Sequence, residues 1–187
     1  MTKFKLSLAV LFLCVITLTS CMLSDGIGLQ SSAPQQEITY IDYAIGDSNL
    51  VVTIPSNWEV VGQDESYLRV SIGMAEIQLY YYDSSEFTEG ITNLDYFEGF
   101  VAYMMQISEN NKIQQEQSVS YNEDLTITSL IYSGTAYDEV IYNTMSLIEI
   151  ENSDEIVISS FISDYAFSVA YKKRNEEVIN SIKIKQT

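Results

Sequence analysis

Most of the chain after residue 37 consists of short runs rich in apolar β-branched and aromatic residues, which are typical of strands. Groups of Gly, Asn, Asp and Ser separate these stretches, as they do at tight turns. We therefore predict two hairpins, which turn at 46–48 and 73–75, followed later by a meander of four antiparallel strands. The predicted strands are 38–45, 49–54, 67–72, 76–82, 113–121, 125–137, 140–150 and 156–162.

Two stretches have the period of an amphipathic helix instead. The first is 94–108, and Thr92 lies three residues before Asp95, which is the spacing of a capping box. The second is 164–181, for which Asp164 is the predicted N-cap. The apolar residues of the first stretch that share one face are Leu94, Phe97, Val101, Met104 and Met105.

This order of elements predicts an α+β domain, in which two helices cover a mainly antiparallel sheet of about six to eight strands. Two short motifs accompany it: Pro55-Ser56-Asn57-Trp58-Glu59 ends a strand, and Glu177-Val178-Ile179-Asn180-Ser181-Ile182-Lys183 ends the second helix. With them, residues 38–185 resemble the PsbP-like fold of an extrinsic photosystem II subunit, a Ran-binding nuclear import factor and many bacterial lipoproteins of unassigned role. The resemblance implies an α/β/α sandwich. The histidine-dependent metal sites of the photosynthetic relatives cannot be carried over, because this chain has no histidine.

The first residues of the chain have the layout of a secretory signal. Lys3 and Lys5 precede an uncharged and mostly apolar run at 6–18, and small polar residues follow it. The run is shorter than the roughly 20 residues that a helix needs to cross the hydrocarbon core of a bilayer. We therefore expect residues 1–20 to be removed as a signal peptide.

The end of this segment, Leu18-Thr19-Ser20-Cys21, resembles the bacterial lipobox, in which an aliphatic residue and two small residues precede a lipidated cysteine. The resemblance implies cleavage before Cys21 and attachment of diacylglycerol, carrying fatty acids such as palmitate. Because two acyl chains anchor a protein stably, we expect it on the extracytoplasmic face of the cell membrane. We predict that residues 21–37 form a flexible tether and that residues 38–187 form the globular domain.

The charge of the chain narrows the class of partner. There are 26 acidic and 9 basic residues, a formal net charge of −17. Removal of residues 1–20 takes two lysines with it, which leaves 7 basic residues and a net charge of −19. Nucleic acids and anionic lipid surfaces favour basic proteins, so we expect no nucleic acid partner. The expected partners are the membrane, through the lipid, and another envelope protein.

The chain lacks several groups on which catalysis usually depends. It has no histidine, and its two cysteines are Cys14, in the signal segment, and Cys21, which the lipid would occupy. Ser-His-Asp and Cys-His catalysis and histidine-ligated zinc are therefore excluded, and we assign no catalytic residue, metal or cofactor. These absences favour a non-catalytic binding or accessory module. The alternative is a carboxylate-dependent hydrolase acting on glycans, which needs two carboxyl groups facing each other across a cleft.

Two groups of residues are candidates for partner binding. Tyr80 and Tyr82 point to the same side of a predicted strand and could form an aromatic platform, or they could be buried where helices cover the sheet. Lys172, Lys173 and Arg174 make the closing helix locally basic on an acidic protein. They could dock an acidic partner, or simply offset the negative end of the helix dipole and nearby acidic turns.

Overall fold

The computed structural model describes residues 38–136 and 138–185. The predicted signal peptide, lipobox and tether lie outside the described residues, as does Tyr137, which was expected to end a strand. Within the described part, no helix has both the length and the apolar character needed to cross a membrane.

The described residues form two antiparallel sheets and two α-helices. The elements are β1 (Tyr40–Ala44), β2 (Leu50–Pro55), β3 (Glu59–Gln63), β4 (Tyr67–Ile72), β5 (Ala75–Asp83), a short 3-10 helix (Ser84–Glu86), α1 (Asn93–Gln106), β6 (Glu109–Asn122), β7 (Leu125–Ala136), β8 (Glu139–Ile150), β9 (Glu155–Ser163), α2 (Tyr165–Asn180) and β10 (Lys183–Ile184). One sheet has three strands in the order β1-β2-β10, and the other has seven in the order β3-β4-β5-β9-β8-β7-β6. This confirms the predicted α+β class with a mainly antiparallel sheet, and the meander appears as β6 to β9.

Each face of the seven-stranded sheet carries its own apolar core. Helix α1 covers one face, where its buried residues form a cluster with those of β7, β8 and β9. Helix α2 and the three-stranded sheet cover the other face. The first cluster consists of Phe97, Val101, Met104, Tyr132, Met145, Leu147, Ile156 and Ile158, and the second is centred on Leu50, Val52, Ile54, Leu68, Ile77, Leu79, Phe161, Val178 and Ile179.

Both helices have the N-cap residues that the sequence predicts, although α1 begins at Asn93, one residue before its predicted start, and α2 begins at Tyr165. Thr92 Oγ1 accepts a hydrogen bond from the Asp95 amide at 3.1 Å, and an Asp95 carboxylate oxygen accepts one from the Thr92 amide at 2.9 Å. These reciprocal bonds make the expected capping box. At α2, Asp164 Oδ1 accepts from the Phe167 amide at 2.8 Å. Each cap pairs an amide that has no partner within its helix.

The Asp164 cap gives a simple stability test. We expect Asp164→Ala to lower the free energy of unfolding by about 1 kcal/mol, because the Phe167 amide loses its acceptor. Asp164→Asn keeps an acceptor oxygen at the same place and should be close to the wild type. Urea denaturation of the three proteins measures the difference, and equal losses in both variants would contradict the cap.

The structure contains two strands that the sequence pattern did not predict. β3 has five residues with only partial burial, and β10 has two exposed residues that pair with β2. β6 also begins at Glu109, four residues earlier than predicted. It is an edge strand and almost entirely exposed, so its ends do not show the apolar alternation that marks a half-buried strand.

Candidate functional site

A cavity of about 620 Å³ opens at the C-terminal end of α1, above β7 and β8. We call it the helix-end cavity. Its walls carry the apolar side chains of Met104, Ile107, Ile141 and Ile162. Its volume is within the range of about 300–1,000 Å³ that is usual for small-molecule sites.

Buried polar side chains underlie the helix-end cavity. Tyr132 on β7 and Asn143 on β8 line it, and the two residues face each other in the strand register. Asn143 Nδ2 donates to Tyr132 Oη at 3.1 Å, and Asn143 Oδ1 accepts from Ser160 Oγ on β9 at 3.1 Å. Tyr132 and Asn143 are each 1% exposed, and Ser160 is fully buried. We call these three residues the polar floor.

The polar floor has more hydrogen-bond donors than its own contacts use. A tyrosine and a serine hydroxyl supply one hydrogen each, and an asparagine amide supplies two. The two contacts among Tyr132, Asn143 and Ser160 use only two of these four hydrogens. Within the described part of the chain, neither the Tyr132 hydroxyl hydrogen nor the second Asn143 amide hydrogen has an acceptor. Because unpaired buried donors are costly, this favours a ligand that supplies an acceptor.

The protonation of Tyr132 suits a donor role. Burial raises the pKa of its hydroxyl, and the hydrogen bond from Asn143 opposes this rise only in part. Because the free side chain already titrates near pH 10, the hydroxyl keeps its proton at neutral pH. The O–H group of Tyr132, a residue that lines the cavity, is therefore neutral.

One wall of the helix-end cavity is built by the turn between α1 and β6. Asn111 Nδ2 donates to the carbonyl oxygens of Met105 at 2.6 Å and Ser108 at 3.0 Å, which caps the end of α1. Ser108 Oγ donates to Asn111 Oδ1 at 2.7 Å. Gly134 on β7 makes this packing possible, since a Cβ atom there would lie 2.5 Å from Asn111 Oδ1.

The mouth of the helix-end cavity is apolar and acidic. Ile107 lies at the mouth and is 63% exposed, and Glu109, Asp138 and Glu139 are its charged neighbours. Among the described residues that line the cavity there is no lysine or arginine. The local potential is therefore negative, in keeping with the net charge of the chain.

Tyr80 and Tyr82 lie on one side of β5, where α1 covers them. The Tyr80 ring centroid is 5.2 Å from that of Phe100, and the Tyr82 centroid is 4.8 Å from that of Tyr96. Both side chains are half-buried, and burial raises the pKa of both. They therefore pack against the helix side chains, and their role in partner binding stays a prediction.

The three basic residues of α2 differ in their surroundings. Lys172 and Lys173 are exposed, and Lys173 Nζ is 3.9 Å from Glu177 Oε1. Arg174 donates to Glu177 and, at 2.7 Å, to Tyr40 Oη on β1. The structure does not bring these residues together with Tyr80 and Tyr82, because α1 and α2 cover opposite faces of the large sheet.

Carboxyl groups share a second cleft, of about 560 Å³, beside the 3-10 helix. Glu65, Asp83 and Glu86 line it together with Tyr82 and Tyr96. Asp83 serves as the cap of the 3-10 helix, since its Oδ1 accepts from the Ser85 amide at 2.9 Å.

Elsewhere in the described part of the chain, the carboxyl groups with a shifted pKa are those of Asp42 and Asp95, and both pKa values are lowered. The hydrogen bond from Thr53 lowers the pKa of Asp42, and the hydrogen bonds from Thr92 lower that of Asp95. A carboxyl general acid needs the opposite shift. Residues 38–136 and 138–185 contain no cluster of three or more acidic side chains placed to hold a metal ion.

The polar floor was not predicted from the sequence. A signal was present in the sequence, because Asn143 lies two residues from both Ile141 and Met145 and therefore on the same side of a predicted strand. A polar residue at an inward position is a candidate for a buried network. Its partners, however, lie on two other strands and depend on the register.

No family model and no curated protein sequence matches this chain. Solved structures that it resembles include cyanobacterial PsbP (CyanoP) from Synechocystis sp. PCC 6803, with a TM-score of 0.58 and 12% identity over 83% of this chain and 98% of that one. The Ran-binding protein Mog1p from Saccharomyces cerevisiae gives a TM-score of 0.53 and 7% identity over 79% and 96%.

A third similar structure is LpqN, described as involved in cell envelope biogenesis of Mycobacterium tuberculosis. Its TM-score is 0.51 and its identity is 9%, over 86% of this chain and 98% of that one. At such low identities the likeness concerns the fold and not the activity. Residues 38–185 adopt a PsbP-like α+β fold, as the order of their elements predicts.

Proposed function

We propose that this protein is a non-catalytic binding or accessory module, held on the extracytoplasmic face of the cell membrane by lipid on Cys21. It works beside another envelope protein, and the helix-end cavity is its binding site. The observation that carries the proposal is the polar floor, where Tyr132 and Asn143 line the cavity and keep donors without acceptors. Buried polar groups of this kind are usually satisfied by a bound molecule or by water.

Two further features support binding rather than catalysis. The chain has no histidine to serve as a general base at neutral pH. The polar groups that line the cavity inside its acidic mouth are the Tyr132 phenol, the Asn143 amide and the hydroxyls of Ser108 and Thr135, and the described lining residues include no histidine or lysine that could act as a base for them. The similarity of fold to LpqN is consistent with a role in the envelope, although that role belongs to LpqN.

Site-specific photocrosslinking tests the binding role. A photoreactive phenylalanine analogue is placed at Ile107, at the cavity mouth, and in a control protein at Val169 on α2. The two positions are matched, since each is 63% exposed, but they lie on opposite faces of the large sheet. After irradiation of cells with intact membranes, we expect one recurrent adduct from Ile107 and none of the same mass from Val169.

The mass of the adduct separates a small molecule from a protein. As a further control, Ala136→Trp places a large ring in the helix-end cavity, which Ala136 lines, and should abolish the Ile107 adduct. A set of adducts that is the same at both positions would contradict a binding site at this cavity.

The anchor is tested separately by Cys21→Ala. Without the thiol no diacylglycerol can be attached, so we expect the protein to leave the membrane fraction and to appear in the soluble extracytoplasmic fraction. Fractionation followed by immunoblotting measures this, with Cys14→Ala as the matched control that should stay in the membrane fraction. Retention of the Cys21→Ala protein by the membrane would contradict the lipid anchor.

A further inference from the structure

We infer that the helix-end cavity binds an uncharged amphiphile, with an apolar body and a hydrogen-bond acceptor such as a carbonyl oxygen at its inner end. The inference rests on the proposed function, because it specifies the ligand of the same cavity. Three independent properties of the cavity lead to it, namely its donors, its apolar walls and its acidic mouth.

The inner end of the ligand follows from the donors of the polar floor. Tyr132 has an O–H group and Asn143 has a second N–H group for which the described residues provide no acceptor, and both residues line the cavity. The Asn143 carbonyl is already occupied by Ser160, and the Tyr132 oxygen by Asn143. A ligand acceptor therefore satisfies groups that are otherwise unpaired, whereas a ligand donor meets oxygens that already accept one.

The body of the ligand follows from the walls. Met104, Ile107, Ile141 and Ile162 surround the space above the floor with aliphatic groups. Apolar walls with a few placed polar groups are typical of sites that recognise small organic molecules. A flexible methionine and an exposed Ile107 can adjust to ligands of different shape.

The acidic residues at the cavity mouth indicate that the ligand carries no negative charge. Glu109, Asp138 and Glu139 are the charged groups that line the cavity, and no cation opposes them among the lining residues described. An anionic head group would have to pass or remain near three carboxylates. A fatty acid or a phosphate ester is therefore disfavoured, although either would provide acceptor oxygens.

Matched naphthalene derivatives test this chemistry. 1-Naphthaleneacetamide and 1-naphthaleneacetate share ring and carbonyl position and differ in charge, whereas 1-methylnaphthalene lacks the acceptor. Binding is measured by equilibrium dialysis with the full-length Cys21→Ala chain, which carries no lipid that could absorb the probes. We expect the amide to bind at least tenfold more tightly than either of the other two compounds.

Two variants assign the effect to residues. Tyr132→Phe removes only the hydroxyl. It should weaken the binding of 1-naphthaleneacetamide about fivefold to tenfold and leave the binding of 1-methylnaphthalene unchanged. The double variant Asp138→Asn and Glu139→Gln should strengthen the binding of 1-naphthaleneacetate several-fold and leave the binding of the uncharged amide unchanged. Asparagine suits position 138, where the backbone has a positive φ of 65°.

Each other outcome overturns the inference. If the amide and the acetate bind equally tightly, the acidic mouth does not select against anionic ligands. If Tyr132→Phe weakens the binding of the amide and of 1-methylnaphthalene equally, the hydroxyl has a structural role and does not bind the ligand. If none of the three compounds binds, the ligand class is wrong. These results leave the proposed function intact as long as Ile107 still gives its own adduct in membranes, so the two failures can be distinguished.

Discussion

Gly134→Ala is expected to lower the free energy of unfolding by about 2–3 kcal/mol. The new Cβ atom would lie 2.5 Å from Asn111 Oδ1 and 2.9 Å from Ser108 Oγ, so both side chains must move. Asn111 then loses its bonds to the Met105 and Ser108 carbonyl oxygens, each worth about 1 kcal/mol. The midpoint of urea denaturation measures the loss, with the slope unchanged if the transition stays two-state.

The matched control is Gly99→Ala, the same substitution at a different place. Gly99 lies in α1, and a Cβ atom there would meet nothing within 4 Å. Because alanine favours the helix over glycine by about 1 kcal/mol, this variant should be slightly more stable than the wild type. The two alanine substitutions are therefore expected to change the free energy of unfolding in opposite directions. A Gly134→Ala protein as stable as the wild type would show that the turn after α1 is not packed against β7.

Local sequence patterns were sufficient to predict those parts of the fold that depend on residues close together in the chain. The capping residues Thr92 and Asp164 follow from spacing along one segment, and the structure confirms both. It also confirms the burial of Phe97, Val101 and Met104 on the apolar face of α1, whereas Leu94, which was expected on that face, is exposed at the start of the helix. The hairpins and the meander follow in the same way, because short turns connect strands that pair with each other.

Pairings between distant segments could not be predicted in this way. β5 pairs with β9, and residues 84–154 lie between them. β10 has only two residues and exists because β2 offers an edge. A segment this short has no period of its own, so its structure is determined by its tertiary partner.

The same reason explains why the candidate site was missed. Tyr132, Asn143 and Ser160 lie on three strands, and they meet only because the register of β7, β8 and β9 brings them to one face. The position of Tyr80 and Tyr82 on one side of their strand was predictable from the period of two. Their contact with Phe100 and Tyr96 required the position of α1.

Phe97→Ala is expected to have the largest effect on stability, a loss of about 3–5 kcal/mol. Phe97 is completely buried and is the largest apolar side chain that α1 places in the core on its face of the sheet. Truncation removes the burial of the ring and leaves a cavity between the helix and the strands, and both terms destabilise the folded state. Urea denaturation should show a much lower midpoint, and Phe97→Leu should lose less because it leaves a smaller cavity.

The neighbouring residue provides the control. Glu98 is exposed on the same helix, so Glu98→Ala should change the free energy of unfolding by less than about 0.5 kcal/mol. Because Met104 extends from the same helix over the helix-end cavity, loosening of α1 should also weaken amide binding in Phe97→Leu. Similar midpoints for Phe97→Ala and Glu98→Ala would contradict the placement of α1, and with it the wall that this helix gives to the cavity.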